Sequence, residues 1–420
     1  VQSLLFNQMN YDFSNPMDRS ADIISYAAGH KALGLYAMWA LRNEVVKQTH
    51  PGMLPEVLQQ MRLEDLLGFR KNPITSTPLF KEFGAKPLDG HPTPETPFIW
   101  LSTGPSGVGV ASSVGLALTL KDMHGADAPA VHVIEGEGGM TPGRVAEALA
   151  AAATSGLDNL YFHVDWNQAS IDSNTVTREG GTAGEYVQWD PCEFLLMHGF
   201  NVIYVPDGFD FAQIREAQKR AEALDNGRPT GIVYRTVKGW QYGIEGCKSH
   251  GAGHGFYSPE YLESLRPFEE KTGVTLPRFD GEKTADAVEQ AFYESLLGIR
   301  SAFERNMALT RQLSDWVVNA RQRLAILRET NDGFLSDIRA RPLGEAAVRA
   351  ARAAGYVNAG TVEFLVDQGH GGLVAGAAER PVHAGVVEQA RQFAGAPAVG
   401  HERAAAHLQV DDDGLRYCCL

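Results

Sequence analysis

The chain has 420 residues, 44% of them hydrophobic, and a formal net charge of −14. That length and apolar content suffice for the cores of two or three domains, and the acidic balance repels polyanions, which argues against nucleic acid as a partner. No run of about eighteen uninterrupted apolar residues appears and no basic-then-apolar leader opens the chain, so the expectation is a cytoplasmic protein without a membrane-spanning or secretory segment. The four cysteines, Cys192, Cys247, Cys418 and Cys419, have neither the number nor the spacing of a disulfide framework or a zinc site.

From the start to about residue 265, strand-like and helix-like stretches alternate, which predicts a doubly wound parallel α/β sheet. Ala130–Ile134 has strand length and β-branched content and breaks at a Gly-Glu-Gly turn. Pro142 then marks a helix start, with Val145, Leu149 and Ala152 on one face, and a second strand runs from Leu160 to Val164. Further strands are expected at Phe200–Val205 and Gly231–Arg235, with a helix at Phe211–Leu224 between them and a Lys238-Gly-Trp240 loop after them. From 266 to 335 the text becomes charged and helical, with Ala285–Leu297 and Leu309–Leu327 as helices, and reads as a linker crossing the surface between domains. A second, partial α/β domain is expected over 336–420, beginning with a helix at Gly344–Ala354.

In the strand–helix–strand unit the two strands are parallel, so Glu137 and Asn167 both emerge at the carboxyl end of the sheet, where open α/β sheets bind ligands. Thirty positions separate them, in Val131-His-Val-Ile-Glu-Gly-Glu-Gly-Gly-Met140 and Leu160-Tyr-Phe-His-Val-Asp-Trp-Asn-Gln-Ala-Ser-Ile-Asp172. One carboxylate, one amide oxygen and a backbone carbonyl, that of Ala169, make a partial oxygen shell. Magnesium completes such a shell with phosphate oxygens and water. In an acidic protein, a diphosphate is held locally by backbone amides at glycine-rich turns and by the ion itself.

This pair resembles the signature of thiamine-diphosphate enzymes, Gly-Asp-Gly followed about thirty residues on by Asn. Glu137 departs from the family's aspartate by one methylene. The order of further motifs is similar to that of transketolases: Ala27-Ala-Gly-His-Lys-Ala-Leu-Gly-Leu-Tyr36, Asp89-Gly-His-Pro92, Ser102-Thr-Gly-Pro-Ser-Gly-Val-Gly109, the metal motif, and Ser249-His-Gly-Ala-Gly-His-Gly255. Ala340-Arg-Pro-Leu-Gly-Glu-Ala-Ala-Val348 looks like the start of that family's pyrimidine-binding domain, and Val382-His-Ala-Gly-Val-Val-Glu-Gln-Ala390 like the segment that carries its catalytic glutamate.

The resemblance implies thiamine diphosphate and magnesium as cofactors, sugar phosphates as substrates, and a homodimer or a companion subunit that completes the pyrimidine domain. Glu137, Asn167 and Ala169 are its metal ligands, and Gly136 and Gly138 let the backbone approach the diphosphate. Gly104 and Pro105 meet the aminopyrimidine, Ser106 stands where the family has leucine, and Ile171 lies beneath the cofactor. His30, His91 and His250 line the channel and move protons; the spacing of His250 and His254 is one residue longer than the family's pair, which leaves open which of the two takes that role. Glu388 protonates the pyrimidine ring, and Arg341 grips the sugar phosphate. Plainer readings stand beside these: an ordinary turn for the glycines, a core residue for Ile171, a surface residue for Glu388, a solvated charge for Arg341.

The implied activity is transfer of a two-carbon ketol unit between sugar phosphates. Two alternatives are a 2-oxo-acid decarboxylating component or a deoxyxylulose-phosphate synthase within the same cofactor class, and a truncated, catalytically silent remnant. The last is suggested by the shortness of the expected second domain, which is a full parallel sheet in the family.

Overall fold

The computed structural model describes residues 1–70, 77–251 and 253–335 together with four strands between 360 and 416, with side chains described as far as Leu327. The chain divides into two compact units, Val1–Arg328 and Glu329–Leu420.

The first unit is built on a parallel sheet of five strands, β1 (Ile23–Tyr26), β2 (Val131–Gly136), β3 (Leu160–Trp166), β4 (Asn201–Val205) and β5 (Thr230–Arg235), in the order β1-β2-β3-β5-β4. All four pairings are parallel. Parallel strands need helical crossovers, and these cover both faces of the sheet. On one face lie α3 (Val108–His124), α4 (Gly143–Thr154) and α5 (Pro191–Met197). They bury Val110, Val114, Val145, Leu149, Ala152 and Leu195 against Val131, Val133, Phe162 and Val164. On the other, α1 (Ala32–Thr49) packs Leu35, Tyr36 and Trp39 with Ile24, Tyr26 and the amino-terminal Leu4, Leu5 and Phe6, while α6 (Phe211–Glu222) sets Ala217 and Ala221 against Ile232. Neighbouring residues Ile23 and Ile24 go to opposite clusters, as the two-residue period of a strand requires.

The doubly wound sheet is thus the observed architecture, and the expected strand–helix–strand unit is β2-α4-β3. Val145, Leu149 and Ala152 are the buried residues of α4. Pro142, with φ −65°, precedes that helix, and Asp190 and Asp210 cap α5 and α6 by accepting bonds from Glu193 N at 2.9 Å and Ala212 N at 2.8 Å, as expected of short acidic side chains at helix starts.

The helices after residue 258 do not merely cross the surface. These are α7 (Pro259–Thr272), α8 (Ala285–Arg305) and α9 (Met307–Leu335). Val317, Ala320 and Leu324 of α9, spaced as one helical stripe, are buried in the cluster formed by α1 and the amino-terminal segment. Arg300 of α8 reaches Glu44 on α1 at 2.8 Å and Glu64 at 2.8 Å, and Glu289 accepts from the backbone of Leu79 at 2.9 Å at the start of α2 (Pro78–Glu82). These helices set an inward stripe in the first unit while charged residues such as Glu294, Arg311 and Arg321 are exposed on them.

In the second unit the described strands are β6 (Gly360–Val366), β7 (Leu373–Ala375), β8 (Ala405–Asp411) and β9 (Gly414–Arg416), in the order β7-β6-β8-β9. They pair antiparallel, which differs from the parallel sheet of the pyrimidine domain that the resemblance implies. Two residues separate β8 from β9, a connection too short for the crossover a parallel pair needs. The expected helix Gly344–Ala354 lies outside the described residues.

Candidate active site

The carboxyl ends of β2 and β3 are in register, with Gly136 opposite Asp165, so the residues that follow, Glu137 and Asn167, leave the sheet side by side. Asn167 N donates to Glu137 Oε2 at 3.2 Å. The Glu137 carboxylate is 1% exposed, and its Oε1 has no hydrogen-bond partner. Burial, with the nearby charge of Asp165 adding to it, pushes its pKa up to about 7. Asn167 Oδ1 accepts from Ala169 N at 2.9 Å, which occupies one of its two lone pairs. An orphaned, buried carboxylate oxygen, on a side chain that meets the backbone of a residue whose amide oxygen has a free lone pair, suits a hard divalent cation. These residues fit magnesium and a diphosphate. Among the described residues no three His, Cys, Asp or Glu side chains converge as a metal cluster, so the phosphates would have to complete the shell.

Around the turn, a side chain at Gly138 would meet nothing within 4 Å, and one at Gly136 would come 3.6 Å from Lys31 Nζ. Neither glycine has a positive φ; Gly138 leaves open space above the backbone, and Gly136 sits in ordinary contact with Lys31 and Asp165. A Cβ at Gly139 would lie 2.3 Å from the Glu135 carboxylate, so a side chain there would displace that carboxylate. Glu135 is itself 2% exposed, with Oε2 unpartnered and its pKa pushed up to about 7 by burial.

Three loops bring the histidines to this turn. The rings of His30 and His250 lie 5.6 Å apart. Lys238 Nζ is 2.8 Å from His250 Nδ1; because an ammonium can only donate, Nδ1 is the acceptor and the ring hydrogen sits on Nε2. Desolvation, followed by the charges of Lys31, His250, Lys238 and His91, lowers the His30 pKa to about 4. Burial and Lys238 likewise lower that of His250. His254 is turned away, its Nε2 2.5 Å from the Tyr242 carbonyl. Of the two histidines left open by spacing, the one beside His30 is His250.

His91 reaches the same neighbourhood through Gly104, where a Cβ would lie 3.3 Å from the His91 ring. Gly29 presses on the other side of Gly104, with room for no side chain: its Cβ would sit 2.9 Å from Gly104 N. Pro105 and Ser106 are exposed at the following turn, where Val108 N donates to Pro105 O at 3.1 Å. Gly107, with φ +79°, starts α3 in the left-handed region and packs against Val145. Ile171 is 68% exposed, which rules out the core reading of that residue. Glu388 and Arg341 lie outside the described residues.

Several site residues carry no motif of their own. Lys31 pairs with Asp165 at 2.5 Å, and Asp165 also accepts from Asn167 Nδ2 at 3.1 Å and from the Thr236 hydroxyl. The charge of Asp165, acting against burial, raises the Lys31 pKa. Adjacency was the available signal: Lys31 follows His30, Glu135 precedes Glu137 by two, and Asp165 precedes Asn167 by two.

Fold and site together define a class: an open parallel α/β domain with a buried acid–amide pair, glycine turns and imidazoles gathered at the carboxyl end of its sheet. The family model described as transketolase, thiamine diphosphate binding domain, matches residues 39–266, more than half of the chain, and the chain belongs to that family. Rat transketolase is 31% identical over 259 residues, 62% of this chain and 35% of that protein. Human transketolase-like protein 2 is 29% identical over 239 residues, 57% of this chain and 32% of that one. This chain thus spans about a third of the length of these curated relatives. The solved transketolase from Leishmania mexicana has a similar fold, with a TM-score of 0.51 at 20% identity, covering 86% of this chain and 47% of that one.

Proposed function

We propose that this chain forms the diphosphate-binding part of a transketolase-type enzyme that moves a two-carbon ketol unit between sugar phosphates. The observation that carries the reading is the buried Glu137 Oε1, left without a partner on a carboxylate whose other oxygen accepts from Asn167 N at 3.2 Å. Leaving a buried carboxylate unpaired is costly unless a ligand completes it.

On this reading Glu137, Asn167 and the Ala169 carbonyl hold magnesium, and Gly136 and Gly138 leave room for the diphosphate. Bound thiamine diphosphate supplies a carbon nucleophile and an electron sink. His250, with its hydrogen on Nε2, donates to an oxygen in the site, and His30, kept neutral, accepts a hydrogen bond from a sugar hydroxyl. His91, held against Gly104, stands at the same mouth. On this reading the aminopyrimidine half of the cofactor lies against a partner, either a second copy of this chain or a companion subunit. The polyhydroxylated substrate class is supported by three imidazoles at the mouth, since each addition and cleavage moves a proton.

Calorimetry tests the assignment. Thiamine diphosphate should bind the chain at least tenfold more tightly with magnesium than without, the scale of a single charge-assisted ligand, and Glu137→Ala should remove that difference. Equal affinities with and without magnesium would sink the reading.

A further inference from the structure

Asp165, at the end of β3, gathers three donors that come from different parts of the chain. Lys31 Nζ lies 2.5 Å from Oδ2, Asn167 Nδ2 donates to the same oxygen at 3.1 Å, and the Thr236 hydroxyl donates to Oδ1. We propose that Asp165 is a positioning residue that sets which atom of the Asn167 amide faces the metal-diphosphate site, an inference that rests on the reading given under Proposed function.

An amide side chain has two ends of nearly equal size, and only one of them can bind a cation. In the observed orientation Nδ2 faces the Asp165 carboxylate, and Oδ1 faces Ala169 N at 2.9 Å. Rotated by half a turn, the amide would set its NH2 against the Ala169 N–H and its oxygen against the carboxylate. Both contacts would then be repulsive, donor against donor and acceptor against acceptor. The Ala169 N–H is a weak local director, because it belongs to the same loop as Asn167. Asp165 is the firm one, since its Cα is fixed opposite Gly136 in the ladder and its two oxygens are tied to the His30–Lys31 segment and to the residue after β5. Partners that orient a ligating side chain in this way typically matter by 10- to 100-fold in metal affinity.

The experiment titrates magnesium into the full chain with thiamine diphosphate present, for the wild type, Asp165→Ala, Asp165→Asn and Lys31→Met, with thermal melting of each metal-free protein alongside. Asp165→Ala removes the acceptor and should weaken magnesium binding by roughly 10- to 100-fold. Asp165→Asn keeps an acceptor oxygen for Nδ2 and should lose less. Lys31→Met removes one of the ties on Asp165 but leaves the Asp165–Asn167 bond, and should weaken magnesium binding by less than Asp165→Asn does even though it melts lower. Wild-type affinity in Asp165→Ala, or equal losses in Asp165→Ala and Lys31→Met, would overturn the proposal. If Asp165→Ala fails to melt cooperatively, the order of Asp165→Asn and Lys31→Met decides: Asp165→Asn binding no more weakly than Lys31→Met overturns it. If the wild type itself shows no magnesium dependence, the functional reading fails and the role of Asp165 falls with it. A magnesium-dependent wild type with an unaffected Asp165→Ala removes only the latter.

Discussion

The side chains at the sheet's carboxyl end are arranged at the expense of stability. Glu135 and Glu137 are both buried, each has an oxygen without a partner, and both pKa values are pushed up to about 7 from an ordinary 4.5. A carboxyl whose folded pKa is raised contributes stability fully below its unfolded value, near 4.5, and loses it as pH rises through about 7. The metal-free chain should therefore become less stable over that window on account of these groups. Glu137→Gln removes one such titration. Its melting temperature relative to the wild type is expected to rise between pH 5 and pH 8, by the order of 3 kcal/mol in stability at most. Saturating magnesium and thiamine diphosphate should reverse the ranking at pH 8, because the ligands then stabilise only the protein with the carboxylate. Scanning calorimetry of both proteins at the two pH values decides this; a gap that does not change with pH would contradict the burial argument.

Among the elements, the start of α3 is what aligns the histidine loop with the metal turn. Gly109 lies so close to β1's continuation that a Cβ would come 2.6 Å from Ala27 Cα and 3.1 Å from Ala27 O. Backbone atoms cannot swing aside as a side-chain tip can. Gly109→Ala should thus force α3 away from the Ala27–His30 segment and destabilise the domain by roughly 1–3 kcal/mol, the usual range for overpacking. Since Gly29 and Gly104 touch a few residues away, ligand affinity should fall along with stability. Chemical denaturation and cofactor titration of the variant measure the two effects; a variant as stable as the wild type would mean that the helix has slack at this contact. The buried chain from His132 to His163 at 3.1 Å and on to Tyr234 at 3.0 Å ties β2, β3 and β5 together on the face away from α4. It serves the sheet rather than the turn.

At the scale of the whole molecule, the first unit depends on residues three hundred positions apart. Arg323 of α9 donates to Asn10 Oδ1 at 2.9 Å and to the Met9 carbonyl at 2.9 Å, and Leu324 is 2% exposed among Leu4, Leu5 and Trp39. Leu324→Ala is expected to cost about 2–5 kcal/mol, as for other large-to-small core changes. A surface linker helix would lose far less, so urea unfolding of this one variant tests whether α9 belongs to the domain. Among the described residues, no helix is long and apolar enough to cross a membrane.

The parallel strand–helix–strand unit, the inward face of α4 and the meeting of Glu137 with Asn167 were all legible in the order of residues, because strand and helix periods are local and a parallel crossover fixes which ends of the strands adjoin. What tertiary structure alone decided is which distant groups meet there. Lys31, Lys238 and Asp165 stand in or beside recognised segments that say nothing of their partners, and their roles come from distances across three loops. The choice of His250 over His254 depended on which ring lies beside His30, and the membership of α9 as far as Arg328 in the first unit on what its three-residue stripe met. Burial, which moves the carboxyl pKa values of Glu135 and Glu137, is a property of the packed neighbourhood, and no single stretch of sequence contains it.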